Sequence, residues 1–150
     1  MSHTYCQLLY HLVWSTKNRS PSIPSSFEER LHCYIGGAFK TKQCLPLQIG
    51  GMPDHVHVLV SIPPTILLSE IVRNVKVCTT KWMQQTDLIN ENFSWQEGYG
   101  AFSVSASNRE GVTNYIQQQK EHHKKHNFKE EFLMLLGKHG IAFDEKYLWK

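Results

Sequence analysis

Residues 50–60, Gly-Gly-Met-Pro-Asp-His-Val-His-Val-Leu-Val, constrain the fold more than any other stretch of this chain. The run ends in an apolar strand pattern with two histidines interleaved. Side chains two residues apart on a strand point to one face. His55 and His57 therefore present two imidazoles side by side, while Val56, Val58 and Val60 can anchor the strand from its other face. Such a strand holds two metal ligands rigidly, provided other elements bring partners. Alone the pattern is weak, because the chain has 9 histidines.

The flanking pattern places that strand. Thr4 to Ser15 is rich in aromatic and β-branched residues and apolar on both faces, which predicts a long, central first strand. His11 on it is either a core histidine or a neighbour of the His55/His57 pair. After a polar loop, Ser26-Phe27-Glu28-Glu29 has capping-box spacing, and Phe27, Leu31, Tyr34, Ile35 and Ala38 recur at helical intervals. Leu45 to Ile49 predicts a second strand, joined by the Gly50-Gly51 turn to a third from His55 to Ile62, which Pro63-Pro64 ends. A second helix is expected from Leu67 to Gln85, burying Leu68, Ile71, Val72, Val75, Cys78 and Trp82. The segment 87–94 reads as a polar loop, and 95–105 ends in a fourth strand.

Strand, helix, strand, strand, helix, strand is the order of a ferredoxin-like (RRM-like) α+β fold. The short turn makes strands two and three antiparallel neighbours. Strands one and three are then central in a four-stranded antiparallel sheet with both helices on one face. The histidines occupy the other face. Ser107-Asn-Arg-Glu110 offers a second capping box before a helix over 109–127. A helix over 129–138 and an apolar tail to 150 follow. The expected organisation is a single domain, 1–150, with its core over about 1–105 and the 109–127 helix closing the open face.

Hydrophobic content of 41% and charged content of 19% exclude a disordered chain. A formal charge of +3 permits nucleic-acid binding without demanding it. Lys120, Lys124, Lys125 and Lys129 crowd one late segment, either as a solvated helix face or as a phosphate-binding one. The four cysteines form no C-x-x-C pair and are expected to be reduced, buried thiols. Without a signal-peptide pattern or an apolar run of ~20 residues, a soluble, cytoplasmic protein is expected.

On the 109–127 helix, Tyr115 and Gln119 lie one turn apart on one face, with His122 and His123 a turn further on. Docked over the histidine strand, that face brings a phenol and an amide oxygen to two imidazoles. Two histidines and a glutamine are neutral ligands, so a divalent ion there keeps its full charge to polarise a phosphodiester. A tyrosine nucleophile conserves the energy of the broken bond as a phosphotyrosine. A phenolate, with a pKa of about 10, leaves more readily than an alkoxide, so a strand can be rejoined without ATP.

Four ordered segments carry a family resemblance: Val-Trp-Ser-Thr-Lys-Asn-Arg (13–19), Met-Pro-Asp-His-Val-His-Val-Leu-Val (52–60), Trp-Gln-Glu-Gly-Tyr-Gly-Ala-Phe-Ser-Val-Ser (95–105) and Tyr-Ile-Gln-Gln-Gln-Lys-Glu-His-His (115–123). Together they resemble the small single-tyrosine HUH transposases of bacterial insertion sequences, whose close relatives are the REP-associated tyrosine transposases. The resemblance implies that His55 and His57 are metal ligands, that Tyr115 is the nucleophile forming a 5′-phosphotyrosine bond with single-stranded DNA, and that Gln119 is the third ligand, with Gln118 the alternative. It implies Mg²⁺ or Mn²⁺, imperfect-palindrome hairpins as substrate, and a homodimer in which the tyrosine helix can cross to the partner's site. Lys17, Arg19, Lys76, Lys81, Lys120 and Lys124 are candidates for phosphate contact, and Trp95 and Tyr99 for base stacking. Two other readings stay open. A non-catalytic nucleic-acid-binding sheet would bind without metal. A metal-dependent phosphodiester hydrolase, or a structural zinc site using His122 or His123, would form no protein–DNA adduct.

Overall fold

The computed structural model describes residues 3–86 and 92–150. Strands β1 (Leu9–Ser15), β2 (Leu45–Met52), β3 (His55–Ser61) and β4 (Gly100–Val104) form one antiparallel sheet in the order β2-β3-β1-β4. The central pair is the one expected from the apolar pattern. Helices α1 (Glu28–Thr41) and α2 (Leu68–Gln85) carry the two crossovers, and the β2–β3 connection is a tight turn. Residues 87–91 of the polar loop lie outside the described residues.

The first strand is shorter than its composition suggests. Leu9 pairs with Ser61, the last residue of β3, and the Leu8 carbonyl accepts one more bond, from the Ile62 N–H at 3.1 Å; Pro63 and Pro64 beyond have no N–H to continue the ladder. Neither expected capping box forms: α1 starts after Phe27, and α3 (Arg109–Gln117) starts after Asn108, both without a side-chain cap. The box appears instead at Asn127 and Glu130, opening α5 (Phe128–Lys138). The expected 109–127 helix is opened at Gln118, after which Gln119–His122 makes one further turn, α4.

Alternation divides the sheet into two buried faces. Leu12, Trp14, Val56, Val58 and Val60 pack against Leu31, Ile35 and Phe39 of α1 and Ile71, Val72, Val75 and Met83 of α2. The α2 stripe continues through Thr79, leaving Cys78 in solvent. Cys6 and Cys33 are exposed too, and only Cys44 is a buried thiol. Thr79 also receives the Trp95 indole N–H at 2.8 Å, which commits Trp95 to the core and away from base stacking. On the opposite face Val13 and Phe102 meet Phe128, Phe132, Leu135 and Leu136. The end of the tail docks there. Leu148, from the last turn α6 (Glu145–Leu148), and Trp149 pack on this cluster, while Ile141, Phe143 and Tyr147 stay exposed. Among the described residues no helix is long and apolar enough to cross a membrane.

One glycine sets how closely the third helix approaches. A Cβ built on Gly50 would lie 2.5 Å from the Ile116 carbonyl oxygen and 2.9 Å from the Ile116 Cγ2. Only the missing side chain lets α3 rest its backbone on β2. Gly50→Ala is expected to push α3 outward and to destabilise the protein by about 1–3 kcal/mol, as overpacking does. Hydrogen exchange should rise over 109–117 while β3 stays protected. Unchanged exchange over α3 would refute this seating.

Candidate active site

His55 and His57 are completely buried on the face covered by α3, α4 and α5. Each imidazole is oriented through its Nδ1. The His55 Nδ1–H donates to Asp54 Oδ1 at 2.7 Å, and His57 Nδ1 meets His11 Nε2 at 2.8 Å. His11 is thus a neighbour of the pair. It opposes Leu59 across β1–β3 and reaches His57 diagonally. The two Nε2 atoms point toward the helices.

The helices deliver what the spacing promised. Gln119 is buried, with Oε1 2.9 Å from His55 Nε2, whereas Gln117 and Gln118 are exposed. Of the two glutamines considered, Gln119 is the one beside the histidines. The Tyr115 ring lies 5.8 Å from the His57 ring and 5.9 Å from the His11 ring, centroid to centroid. His123 also enters, its Nε2 3.0 Å from Gln119 Oε1, while His122 leans against the Tyr115 ring at 4.6 Å.

The centre of the cluster is a residue that the sequence analysis did not single out. Glu131 of α5 is buried. Its Oε1 lies 3.0 Å from His57 Nε2, 3.3 Å from His55 Nε2 and 3.1 Å from His123 Nε2. Its Oε2 accepts from the Gln119 amide at 2.9 Å and from the Tyr115 hydroxyl. A signal was available. On α5 the buried positions are Phe128, Glu131, Phe132, Leu135 and Leu136, so Glu131 is the one charged side chain in an apolar helical stripe.

Charge follows from these contacts. Burial disfavours His55 as a cation, but hydrogen bonds and charge from Asp54 and Glu131 outweigh it and raise its pKa to about 9. Burial dominates at His57, lowering it to about 4 against the pull of Glu131. Burial and the neighbouring His57 lower His11 to about 3. Burial alone would raise Glu131; hydrogen bonds from His123, His55 and His57 hold it well below the usual carboxylate range. Burial, then the Glu131 charge, pushes the Tyr115 phenol above its ordinary value.

Ligand atoms of His55, His57 and Glu131 all lie within 4.8 Å of one another, a spacing that one cation can bridge. Gln119 Oε1 sits beside them. The donor set therefore fits a divalent metal, but it is not the all-neutral set expected, because a carboxylate stands in it.

The basic candidates separate. Lys76 donates to the carbonyls of Gln96, Glu97 and Gly98, and burial lowers its pKa to about 8. Lys120 pairs with Glu28, and Lys124 with Glu121. Arg19 donates to the Trp149 carbonyl and lies over its ring. Lys17 and Lys81 are exposed. The structure therefore gathers none of the six at the histidine cluster.

A family model described as IS200-like transposase matches residues 4–119, a span that includes His55, His57, Tyr115 and Gln119. The chain belongs to this IS200-like transposase family. It is accordingly an enzyme of the DNA strand-transferase class. This transposase is 25% identical over 118 residues to the ISDra2 transposase TnpA of Deinococcus radiodurans, covering 75% of this chain and 84% of that protein. Its fold is shared by a crystal structure of a candidate transposase from Deinococcus radiodurans R1, with 22% identity, a TM-score of 0.61, and 79% of this chain and 96% of that one covered. It is shared also by a REP-associated tyrosine transposase bound to a REP hairpin, with 15% identity, a TM-score of 0.62, and coverage of 82% and 73%. The family match ends at Gln119, before α5 and Glu131.

Glu131→Gln keeps the shape of the side chain and removes its charge from a fully desolvated cluster. It is expected to cost about 3 kcal/mol in urea unfolding, the loss typical when one partner of a buried ion pair is removed. Glu130→Gln, one residue away and exposed, should cost less than about 0.5 kcal/mol. Equal effects at the two positions would contradict the buried role.

Proposed function

We propose that this transposase cuts and rejoins single-stranded DNA at element ends through a 5′-phosphate bond to Tyr115. The observation that carries this reading is the Tyr115 hydroxyl bonded to the same Glu131 carboxylate that joins His55 and His57. His55, His57 and Glu131, with Gln119 alongside, would hold a divalent ion. Such an ion supplies positive charge that polarises the scissile phosphodiester and makes the phenol easier to deprotonate. That help is needed, because burial and the Glu131 charge hold the proton on Tyr115.

The chain's own groups then divide the work. Glu131 Oε2 accepts the hydrogen bond of the Tyr115 hydroxyl, fixes its direction and can receive its proton. As Tyr115 Oη forms its bond to phosphorus, the bond to the 3′-oxygen breaks, and that oxygen takes a proton from solvent to become a 3′-hydroxyl. Attack by a 3′-hydroxyl on the phosphotyrosine reverses the exchange and expels the phenolate. Asp54 and His11 keep the imidazoles from rotating. Tyr115→Phe should abolish the covalent adduct on denaturing gels with single-stranded end sequences and Mn²⁺, while hairpin binding stays within about twofold. An adduct that persists in this variant would sink the assignment.

Mg²⁺ or Mn²⁺ is the expected ion. The Glu131 oxygen improves the match to either, and two imidazoles favour Mn²⁺ over Mg²⁺. Mn²⁺ should therefore raise the thermal midpoint more than Mg²⁺ does, and His57→Ala should remove both shifts. Equal shifts in wild type and variant would place the ion elsewhere.

Tyr115 closes on the histidines of its own chain, which supports a site completed in cis instead of by an exchanged helix. Two cuts still need two tyrosines, for which a homodimer is the simplest assembly. A mixture of Tyr115→Phe and His57→Ala chains should remain inactive. Recovered adduct formation would establish sharing between chains. The hairpin bound by the REP-associated relative supports folded single strands as substrate, and paired imperfect palindromes flanking the gene would identify them. Lys17 and Lys81 are the basic candidates left for phosphate contact.

A further inference from the structure

Behind the Tyr115 ring lies a cavity of about 450 Å³ between the end of β4, α3 and the last turns of α5. Its walls include His11, Ser103, Asn108, Tyr115, Met134 and Lys138. The volume falls within the ~300–1,000 Å³ range of small-molecule pockets. It has room for a nucleoside and not for a duplex. Among the described residues no carboxylate lines it, although Glu131 lies just behind the Tyr115 hydroxyl; Lys138 brings a positive charge to its rim. The interior is largely apolar, with the Ser103 hydroxyl, the Asn108 amide and the Lys138 ammonium among its lining groups. His11 gives the deep wall a polar atom. Its Nε2 is committed to His57, which leaves Nδ1 as the ring nitrogen not engaged in that contact.

Nothing in the proposed chemistry uses this cavity, yet the tyrosine ring forms part of its wall. A strand whose phosphate reaches Tyr115 Oη must place its neighbouring nucleosides within a few ångströms of that ring. We infer that the cavity receives the nucleoside flanking the scissile phosphodiester and makes the enzyme selective for one base there. The base lies between the Tyr115 ring and Met134, with its polar edge on Ser103 or Asn108. The Lys138 ammonium attracts the adjoining phosphate. Stacking of this kind is worth ~1–3 kcal/mol per base, and polar readout in a closed pocket adds discrimination. The inference rests on Tyr115 as nucleophile, and its test separates the two.

The probe is a pool of single-stranded oligonucleotides with a randomised central segment, incubated with the full chain and Mn²⁺. Strands that become covalently attached to protein are sequenced. The wild type should show one position beside the break with a base preference of roughly tenfold or more. Met134→Trp fills the mouth of the cavity from a side chain that is 59% exposed, so folding is little disturbed. It should flatten that preference and leave preferences elsewhere unchanged. Lys138→Ala should weaken attachment without changing base preference. Adducts with the same preference in wild type and Met134→Trp would overturn the cavity assignment and leave the nucleophile standing. If no strand becomes attached, the Tyr115 reading fails. The pool retained by non-covalent filter capture then decides: identical retained sequences for wild type and Met134→Trp would overturn the pocket as well.

Discussion

The Glu131 carboxylate is the interaction on which the site depends. It is withdrawn from water and touches groups from three parts of the chain: His55 and His57 on β3, Tyr115 and Gln119 on α3 and α4, and His123 just beyond. A lone buried carboxylate would cost several kcal/mol and would take up a proton instead. Here every oxygen is occupied by a donor, and His55 supplies a compensating charge. The arrangement therefore holds as a unit. Moving α5 away would strand an anion, and moving β3 or α3 would leave their polar groups unpaired in an apolar pocket.

That unit can exist because the sheet is buried on both faces. Alternation along β3 sends valines to α1 and α2 and histidines to the opposite side, and Phe128, Phe132, Leu135 and Leu136 of α5 seal the second face. A sheet with one face in water would have left His55 and His57 solvated, with ordinary proton affinities. Gly50 contributes by absence. Without a side chain at that position, α3 comes within backbone contact of β2 and brings Tyr115 over the histidines.

Much of this could be read from the chain. The His-x-His alternation, the tight β2–β3 turn and the two helical crossovers define the strand order, and the i, i+4 spacing of Tyr115 and Gln119 puts both on the histidine side. What escaped depends on tertiary contact. Glu131 has a flanking sequence, Lys-Glu-Glu-Phe, that reads as solvated surface until the apolar stripe on both sides of it is counted. His11 could not be assigned between core and site, because a diagonal pairing across strands depends on register. Trp95 has the composition of a stacking residue, yet its indole N–H is claimed by Thr79. The basic residues fared worst, since charge in a sequence does not reveal whether a carboxylate such as Glu28 already faces it.

The two histidines of the motif are chemically unequal, and the inequality follows from what each one meets through Nδ1. Their rings are 5.1 Å apart, close enough that two imidazolium charges would repel strongly. Only one can be a cation at neutral pH. His55 meets the Asp54 carboxylate, supplied by the turn that precedes the strand, and becomes that cation. His57 meets a second imidazole, His11, which is itself held neutral by burial, and stays neutral. A carboxylate orienter makes its imidazole a stronger electron donor than a neutral orienter does. Once a metal ion displaces the Nε2 proton of His55, the motif would offer it two non-equivalent nitrogens, with Asp54 strengthening His55 and His11 leaving His57 the weaker donor. It is His11, on the weaker side, whose other ring nitrogen is left for the cavity beside Tyr115.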